Sequence, residues 1–189
     1  PQLKLWRLLR GSDHVNHGKP SLLVIAANDV EFADLLGYYH RLCEQIGPLP
    51  APQVLNIDHG RQRFLLFALS PQRSAGACTT PVLAFIDVPG LSAEVGPAFE
   101  VTGWAFKDGV GLAAVEILLD GRVVASANYG APKPDVAGFW KVSTDPGQPR
   151  VGFRASMTGV SHGMHWLGLR LHGKDGSIED WPEQTITVR

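Results

Sequence analysis

Cysteine is almost absent. Cys43 and Cys78 are the only two in 189 residues, too few for a disulfide framework to stand in for a hydrophobic core. Neither charge is in excess, with 17 Lys and Arg against 18 Asp and Glu, so no overall basic surface speaks for nucleic acid or acidic lipid. The two halves differ little: residues 1–82 carry 8 basic and 6 acidic side chains, and residues 83–189 carry 9 and 12. No apolar run approaches the roughly 20 residues of a membrane-spanning helix. The chain opens at Pro1 with neither Met nor a signal peptide, and is read as a processed product or an excised piece of a longer protein. What is present is 44% hydrophobic sequence with 21 glycines and 14 prolines. That apolar content excludes disorder, and the abundance of turn formers points to β structure. The length allows one large domain or two small ones.

The first half holds one strand-to-helix unit. Residues Ser21 to Ala27 are an almost continuous apolar run, as in a strand buried on both faces. Asn28 and Glu31 then make a capping-box pattern, in which each side chain satisfies a backbone N–H of the first helical turn. Phe32, Leu35, Leu36, Tyr39, Leu42, Cys43 and Ile46 recur at three- and four-residue steps, one face of a helix. Gly47-Pro48 ends it, because proline cannot continue the ladder. Val54 to Ile57 and Arg63 to Leu69 read as strands around the turn-prone Asp58-His59-Gly60. Residues 1–81 are therefore expected to be a small β-α-β-β unit, closed by the polar linker Ser70 to Thr80.

From residue 82 the pattern changes to short strands between turns. Strands are expected at Val82 to Val88, Phe99 to Phe106, Ala113 to Leu119, Arg122 to Ala127, Val151 to Met157, His165 to Leu171 and Gln184 to Val188. Asp120-Gly121 is a hairpin signal, since a two-residue turn needs positive φ at both positions. His165, Leu167, Leu169 and Leu171 alternate with Trp166, Gly168, Arg170 and His172, giving one apolar and one mixed face. About seven strands over residues 82–189 fit an immunoglobulin-like sandwich. The expected fold class is thus an α+β N-terminal unit followed by an all-β immunoglobulin-like sandwich.

Four stretches carry a family likeness: Val101-Thr102-Gly103-Trp104-Ala105, Val115 to Gly121, Tyr129 to Val136, and Gly163-Met164-His165-Trp166-Leu167. Through them residues 99–189 resemble the Ig-like domains appended to bacterial envelope proteins. The polar stretch Lys141 to Arg150, after Phe139-Trp140, departs from that pattern. The resemblance implies a sandwich without chemistry of its own and a periplasmic or extracellular place. Such modules commonly end polytopic membrane enzymes, lipid-linked-sugar glycosyltransferases among them, or secreted proteins. It also implies a protein or glycan partner in the cell envelope.

Several motifs invite a chemical reading. Gly159-Val160-Ser161-His162-Gly163 is a literal G-x-S-x-G, but a nucleophile elbow needs a helix after the serine, and here an alternating strand follows. Gly109-Val110-Gly111-Leu112-Ala113-Ala114 matches G-x-G-x-x-A, yet it leaves no room for the helix that would receive a pyrophosphate. Both are read as turns. Asp13-His14-Val15-Asn16-His17 offers two metal ligands at H-x-x-H spacing, short of a closed tetrahedral shell. His162, His165 and His172 are a second histidine group. On one strand His165 and His172 fall on opposite faces, and His165 is expected at the core edge with a ring nitrogen on backbone. Cys43 and Cys78 allow either a buried thiol or one disulfide. Trp166, on the outer face of its strand, is expected to pack against the first half rather than serve a contact patch. No cofactor, metal or catalytic residue is assigned, and no nucleic acid or membrane span is expected. The reading is a non-catalytic accessory, binding or spacer region of an envelope protein. The alternatives are the soluble tail of a membrane glycosyltransferase, or a hydrolase or transferase using Asp13, His14, His17 or His59.

Overall fold

A computed structural model of the chain describes residues 82–189 except Val142, without the side chains of Pro182 and Glu183, and the backbone of residues 21–27, 53–57 and 62–69. The helix expected over residues 28–46, both cysteines, and Asp13, His14, His17 and His59 lie outside the described residues. The chain divides into two compact units, Pro1–Pro81 and Val82–Arg189.

In the first unit β1 (Ser21–Ala27), β2 (Gln53–Ile57) and β3 (Gln62–Leu69) form an antiparallel sheet with β3 in the middle. Ser21 pairs with Leu69 and Ala27 with Arg63 on one side, and Gln53 with Leu66 on the other. Each strand begins within a residue of the run that the apolar pattern marks.

The second unit is built from β4 (Leu83–Val88), β5 (Glu94–Val95), β6 (Phe99–Phe106), β7 (Leu112–Leu119), β8 (Arg122–Ser126), β9 (Asn128–Ala131), α1 (Pro134–Phe139), β10 (Gly152–Met157), β11 (Gly163–Gly173) and β12 (Ile178–Val188). One sheet has the order β4-β6-β10-β9 and the other β5-β12-β11-β7-β8. This is the immunoglobulin arrangement, A-B-E-D on one side and G-F-C with an added strand at each edge on the other. Period-two alternation turns Val101 and Ala105 of β6, Ile117 of β7 and Leu167, Leu169 and Leu171 of β11 inward, where all are fully buried. Each such side chain contributes about 1.5–3 kcal/mol of burial. The β7–β8 turn takes the expected form, with φ of 51° at Asp120 and 76° at Gly121.

Three features differ from the sequence reading. Strand β12 starts at Ile178, not Gln184. Its pairing with β11 shifts between Leu167 opposite Gln184 and Leu169 opposite Trp181, so β12 holds an extra residue there. That bulge, beside a proline with no N–H for the ladder, moves both Trp181 and Ile186 to the buried side despite their odd and even numbers. Second, the strand leaving the hairpin ends at Ser126, and β9 crosses to the other sheet, where it pairs with β10. Third, the segment between β9 and the polar stretch Lys141 to Arg150 holds the short helix α1, whose first residue is Pro134. Proline's fixed φ suits that position, where its missing N–H costs nothing.

The C-terminal half of strand β6 is packed on both faces. Its outward residues Trp104 and Phe106 meet Trp140, at ring-centroid distances of 6.0 and 5.5 Å. With Leu83 and Val136, Phe106 and Trp140 are buried, so α1 and Trp140 make a small second core outside the sandwich. On the inward side Gly103 faces Phe153 of β10. A methyl group at Gly103 would lie 2.0 Å from the Phe85 carbonyl oxygen and 2.7 Å from Phe153 Cζ.

At the end of β6 the buried Lys107 ammonium donates to Ser177 Oγ at 2.5 Å and Glu179 Oε1 at 2.7 Å. Its backbone N–H donates to Asp145 Oδ2 at 2.7 Å, and Gly147 N–H donates to Asp145 Oδ1 at 2.5 Å. Burial holds the Asp145 carboxyl above its ordinary range, against the pull of those two N–H groups. Asp108, next in the chain, accepts from Ser143 Oγ and the Thr144 N–H. These bonds tie the loop after α1 to the ends of β6 and β12.

Gly103→Ala is expected to lower stability by about 2–4 kcal/mol, because β4 or Phe153 must give way. A urea titration followed by tryptophan fluorescence measures it, and a wild-type midpoint would contradict this account of the packing.

Candidate functional site

The G-x-S-x-G motif lies in the loop between β10 and β11, with Gly159 at φ 68° and Gly163 at φ 130°. A strand follows the serine, as its alternation indicates, and no helix. The loop is held by the buried Val160, whose N–H donates to the Pro97 carbonyl at 3.1 Å. His165 lies at the start of β11 with its side chain at the core edge.

Pairing of β11 with β7 puts Leu167 opposite Leu119, which brings the turn residue Asp120 beside His165. His165 Nδ1 is 2.8 Å from Asp120 Oδ2, and Trp166 N–H donates to Asp120 Oδ1 at 2.9 Å. On the other ring edge Nε2 lies 3.4 Å from Ser161 Oγ and 2.9 Å from the Ser161 carbonyl oxygen. Serine, histidine and aspartate thus stand in the order of a catalytic triad.

The chemistry of Nε2 decides against that role. A general base needs a lone pair on Nε2 to receive the serine proton. A carbonyl oxygen only accepts, so the closest partner of Nε2 requires an N–H there. The hydroxyl, half an ångström farther, is the weaker contact. Asp120 holds the imidazole above its ordinary pKa of 6.5, and the Ser161 carbonyl adds to this against a smaller effect of burial. The Asp120 carboxyl is pulled below its ordinary 3.8, first by Trp166 N–H and then by His165. The group joins the β7–β8 turn to the β10–β11 loop, and it is an ion pair when the imidazole is protonated.

The other histidines stand apart. His162 is exposed, and His172, on the opposite face of β11, sits 2.8 Å from Glu116 Oε2. Among the described residues no set of three or more His, Cys, Asp or Glu side chains is placed to hold a metal. The G-x-G-x-x-A stretch is a turn, with Gly109 and Gly111 at φ 70° and 79°, running straight into β7.

A second site candidate is the outer face of the β4-β6-β10-β9 sheet. Phe85 and Trp104, opposite each other on β4 and β6, stack at 6.3 Å with planes 22° apart, and Trp104 stacks on Phe106 at 5.6 Å and 19°. Trp140 closes the row edge-on, and Phe139 meets Trp140 at 5.4 Å. Phe85 and Phe139 are 43% and 49% exposed, so the row reaches solvent at both ends. Each aromatic pair adds about 0.5–1.5 kcal/mol beyond its burial. Lys133 reaches across this face to Asp87 Oδ2 at 2.6 Å. It passes over Gly152, which lies opposite Trp104 and whose added methyl would sit 3.1 Å from Lys133 Cγ. On the other sheet Trp166 stands on the outer face, 42% exposed.

Sequence reasoning missed Asp120 as the partner of His165 and missed the row as a unit. The Asp-Gly turn at the end of β7 and the histidine at the start of β11 were the available signals for the first. Nothing in the spacing of Phe85, Trp104 and Trp140 announces the second, because α1 creates it.

No family model matches the chain, and no curated protein does either. Among solved structures it is similar to the fibronectin(III)-like modules of Clostridium thermocellum CbhA, at 18% identity over 56% of this chain and 94% of that one, with a TM-score of 0.38. CopC from Methylosinus trichosporium OB3b gives 19%, 56%, 93% and 0.34. The endo-beta-1,4-mannanase from Thermotoga petrophila gives 12% identity over 58% of this chain and 20% of that one, with a TM-score of 0.40.

Ser161→Ala is expected to leave stability within about 0.5 kcal/mol of wild type, because the serine's carbonyl and not its hydroxyl engages Nε2. His165→Ala should cost more, about 1–2 kcal/mol, because it removes the side chain at the core edge with its two hydrogen bonds, while water reaches the exposed Asp120 and Ser161 left behind. Urea unfolding at pH 6 compares them, and equal losses would mean that the hydroxyl carries the contact.

Proposed function

We propose that the second unit is a non-catalytic binding module of a bacterial envelope protein, working outside the cytoplasm and contacting a glycan through the outer face of its four-stranded sheet. The observation that carries this reading is the row from Phe85 through Trp104 and Trp140 to Phe139, open to solvent at both ends. A spacer needs only the inner core. The second core under α1 accounts for Trp140, but not for Phe85 and Phe139 in solvent or for the half-buried Trp104 between them, which offer apolar ring surface of the kind that the C–H side of a pyranose ring covers. Lys133 and Asp87, exposed beside Trp104, supply a donor and an acceptor for sugar hydroxyls. Among the described residues no helix is long and apolar enough to cross a membrane, so any anchorage in the envelope comes from outside them. The likeness to Ig-like envelope domains supports the location. A glycosyltransferase parent rests on that likeness alone and forms no part of the proposal.

The full chain, titrated with β-linked hexasaccharides of glucose, mannose and N-acetylglucosamine, should show saturable tryptophan quenching with at least one of them. Phe85→Ala and Trp104→Ala should each weaken that binding about tenfold, while Met164→Ala, at an exposed position of β11, leaves it unchanged. Absence of binding to all three sugars, or equal loss in all three variants, would count against glycan recognition at this face.

A further inference from the structure

We propose that Asp120, His165 and the Ser161 carbonyl form a proton-operated clasp between the β7–β8 turn and the β10–β11 loop, closed while the imidazole is charged and open once it is neutral. The inference stands apart from the glycan reading and would survive its failure.

Counting protons on the ring carries it. Nδ1 faces a carboxylate oxygen at 2.8 Å and Nε2 a carbonyl oxygen at 2.9 Å. Both are acceptors, so both nitrogens must carry hydrogen, which only the imidazolium provides. A neutral ring has one N–H for two acceptors. The charged acceptor makes the stronger bond, so Nδ1 keeps the proton for Asp120 and the Nε2 lone pair is turned on the carbonyl lone pairs. Ser161 Oγ, 3.4 Å away, can then swing in and donate its O–H to Nε2. That exchange of carbonyl for hydroxyl requires residues 158–162 to shift. What then holds the loop is the bond from the Ser161 hydroxyl, starting from 3.4 Å where the carbonyl bond was 2.9 Å, together with the Val160 N–H bond to Pro97.

The surroundings leave the switching to this pair. From the turn His165 is faced by Asp120, with Arg122 acting on Asp120. The loop adds the titratable His162. Strand β12 sets the uncharged Ile186 opposite His165, and β7 ends there in Leu119 before Asp120. The segment entering β6 presents only the Pro97 carbonyl to the loop, and the Arg189–Glu94 pair joins the neighbouring ends of β12 and β5. The sign follows from the direction of each shift. His165 is held above 6.5 in the folded chain, so its stabilisation is complete below that value and is lost as pH rises through the folded pKa. Asp120 is held below 3.8, so its share is lost only as pH falls through that lower value.

The experiment is a pH titration of the full 189-residue chain by two NMR readouts. Imidazole nitrogen shifts should show His165 with both ring nitrogens protonated in more than half of the molecules at pH 6.5, where an ordinary histidine is half neutral. Amide exchange, corrected for its intrinsic pH dependence, should quicken about fivefold at residues 158–162 as His165 titrates, the worth of one hydrogen bond. Asp120→Asn should lower the His165 midpoint, and the exchange step should move with it. His165→Gln should abolish the step. An imidazole already neutral at pH 6.5, a loop whose corrected exchange is flat through the His165 midpoint, or a step that stays in place in Asp120→Asn would each overturn the clasp.

Discussion

The C-terminal half of strand β6 is packed on both faces, and the second unit is arranged around that constraint. A strand in a two-layer sandwich needs one apolar face, and the other is ordinarily left to water. Here the inward side gives Val101, Gly103 and Ala105 to the sandwich core, while the outward side gives Trp104 and Phe106 to a second core under α1 and Trp140. Gly103 makes the first arrangement possible, since Phe153 and the β4 backbone occupy the space that any side chain would need. The outward rings make the second possible, because a six-residue helix has too few hydrogen bonds to persist without tertiary support. Burial beneath α1 fixes Trp140, and through it the line of rings that ends in solvent.

The two ends of the long strand β11 are closed by polar groups of different kinds, a buried lysine at one and a core-edge histidine on an exposed aspartate at the other. At its C-terminal end Lys107 is surrounded by Ser177, Glu179 and Asp175, and its donors are fully taken. A buried ammonium paired in this way stabilises less than its short distances suggest, because desolvation offsets much of the attraction. The pairing joins the end of β6 in one sheet to the start of β12 in the other. At the N-terminal end the same task falls to His165 and Asp120.

The sandwich was legible wherever a strand alternates cleanly. Strand β6, the Asp120-Gly121 hairpin, β10 and β11 fall where their sequences place them, because burial of one face imposes period two on each strand by itself. The exceptions are local breaks in that period. Trp181 and Ile186 cannot share a face without the bulge in β12, and a bulge leaves no mark in alternation except its failure. Strand β9 and α1 arise where the chain changes sheets, with Pro134 as the one local signal. The site was less legible than the fold. Ser161 and His165 were each read singly as a turn residue and a core-edge histidine, and each of those readings describes its position. Asp120 joins them only through the pairing of Leu119 with Leu167, a relation between strands that no single stretch of sequence contains.

A catalytic triad and a structural clasp use the same three side chains, and what separates them is the atom facing Nε2. When a hydroxyl faces it, the ring can be neutral, and the aspartate prepares it to take a proton. When a carbonyl faces it, the ring must give a proton, and the aspartate stabilises the charge that results. The i to i+4 spacing of Ser161 and His165 across a loop closed by Gly163 brings the serine carbonyl to Nε2 ahead of its side chain. An elbow avoids this by placing the serine on a strained turn before a helix, so that the hydroxyl projects and the carbonyl is taken up elsewhere. With a strand after the serine, the same five-residue motif presents backbone to the imidazole.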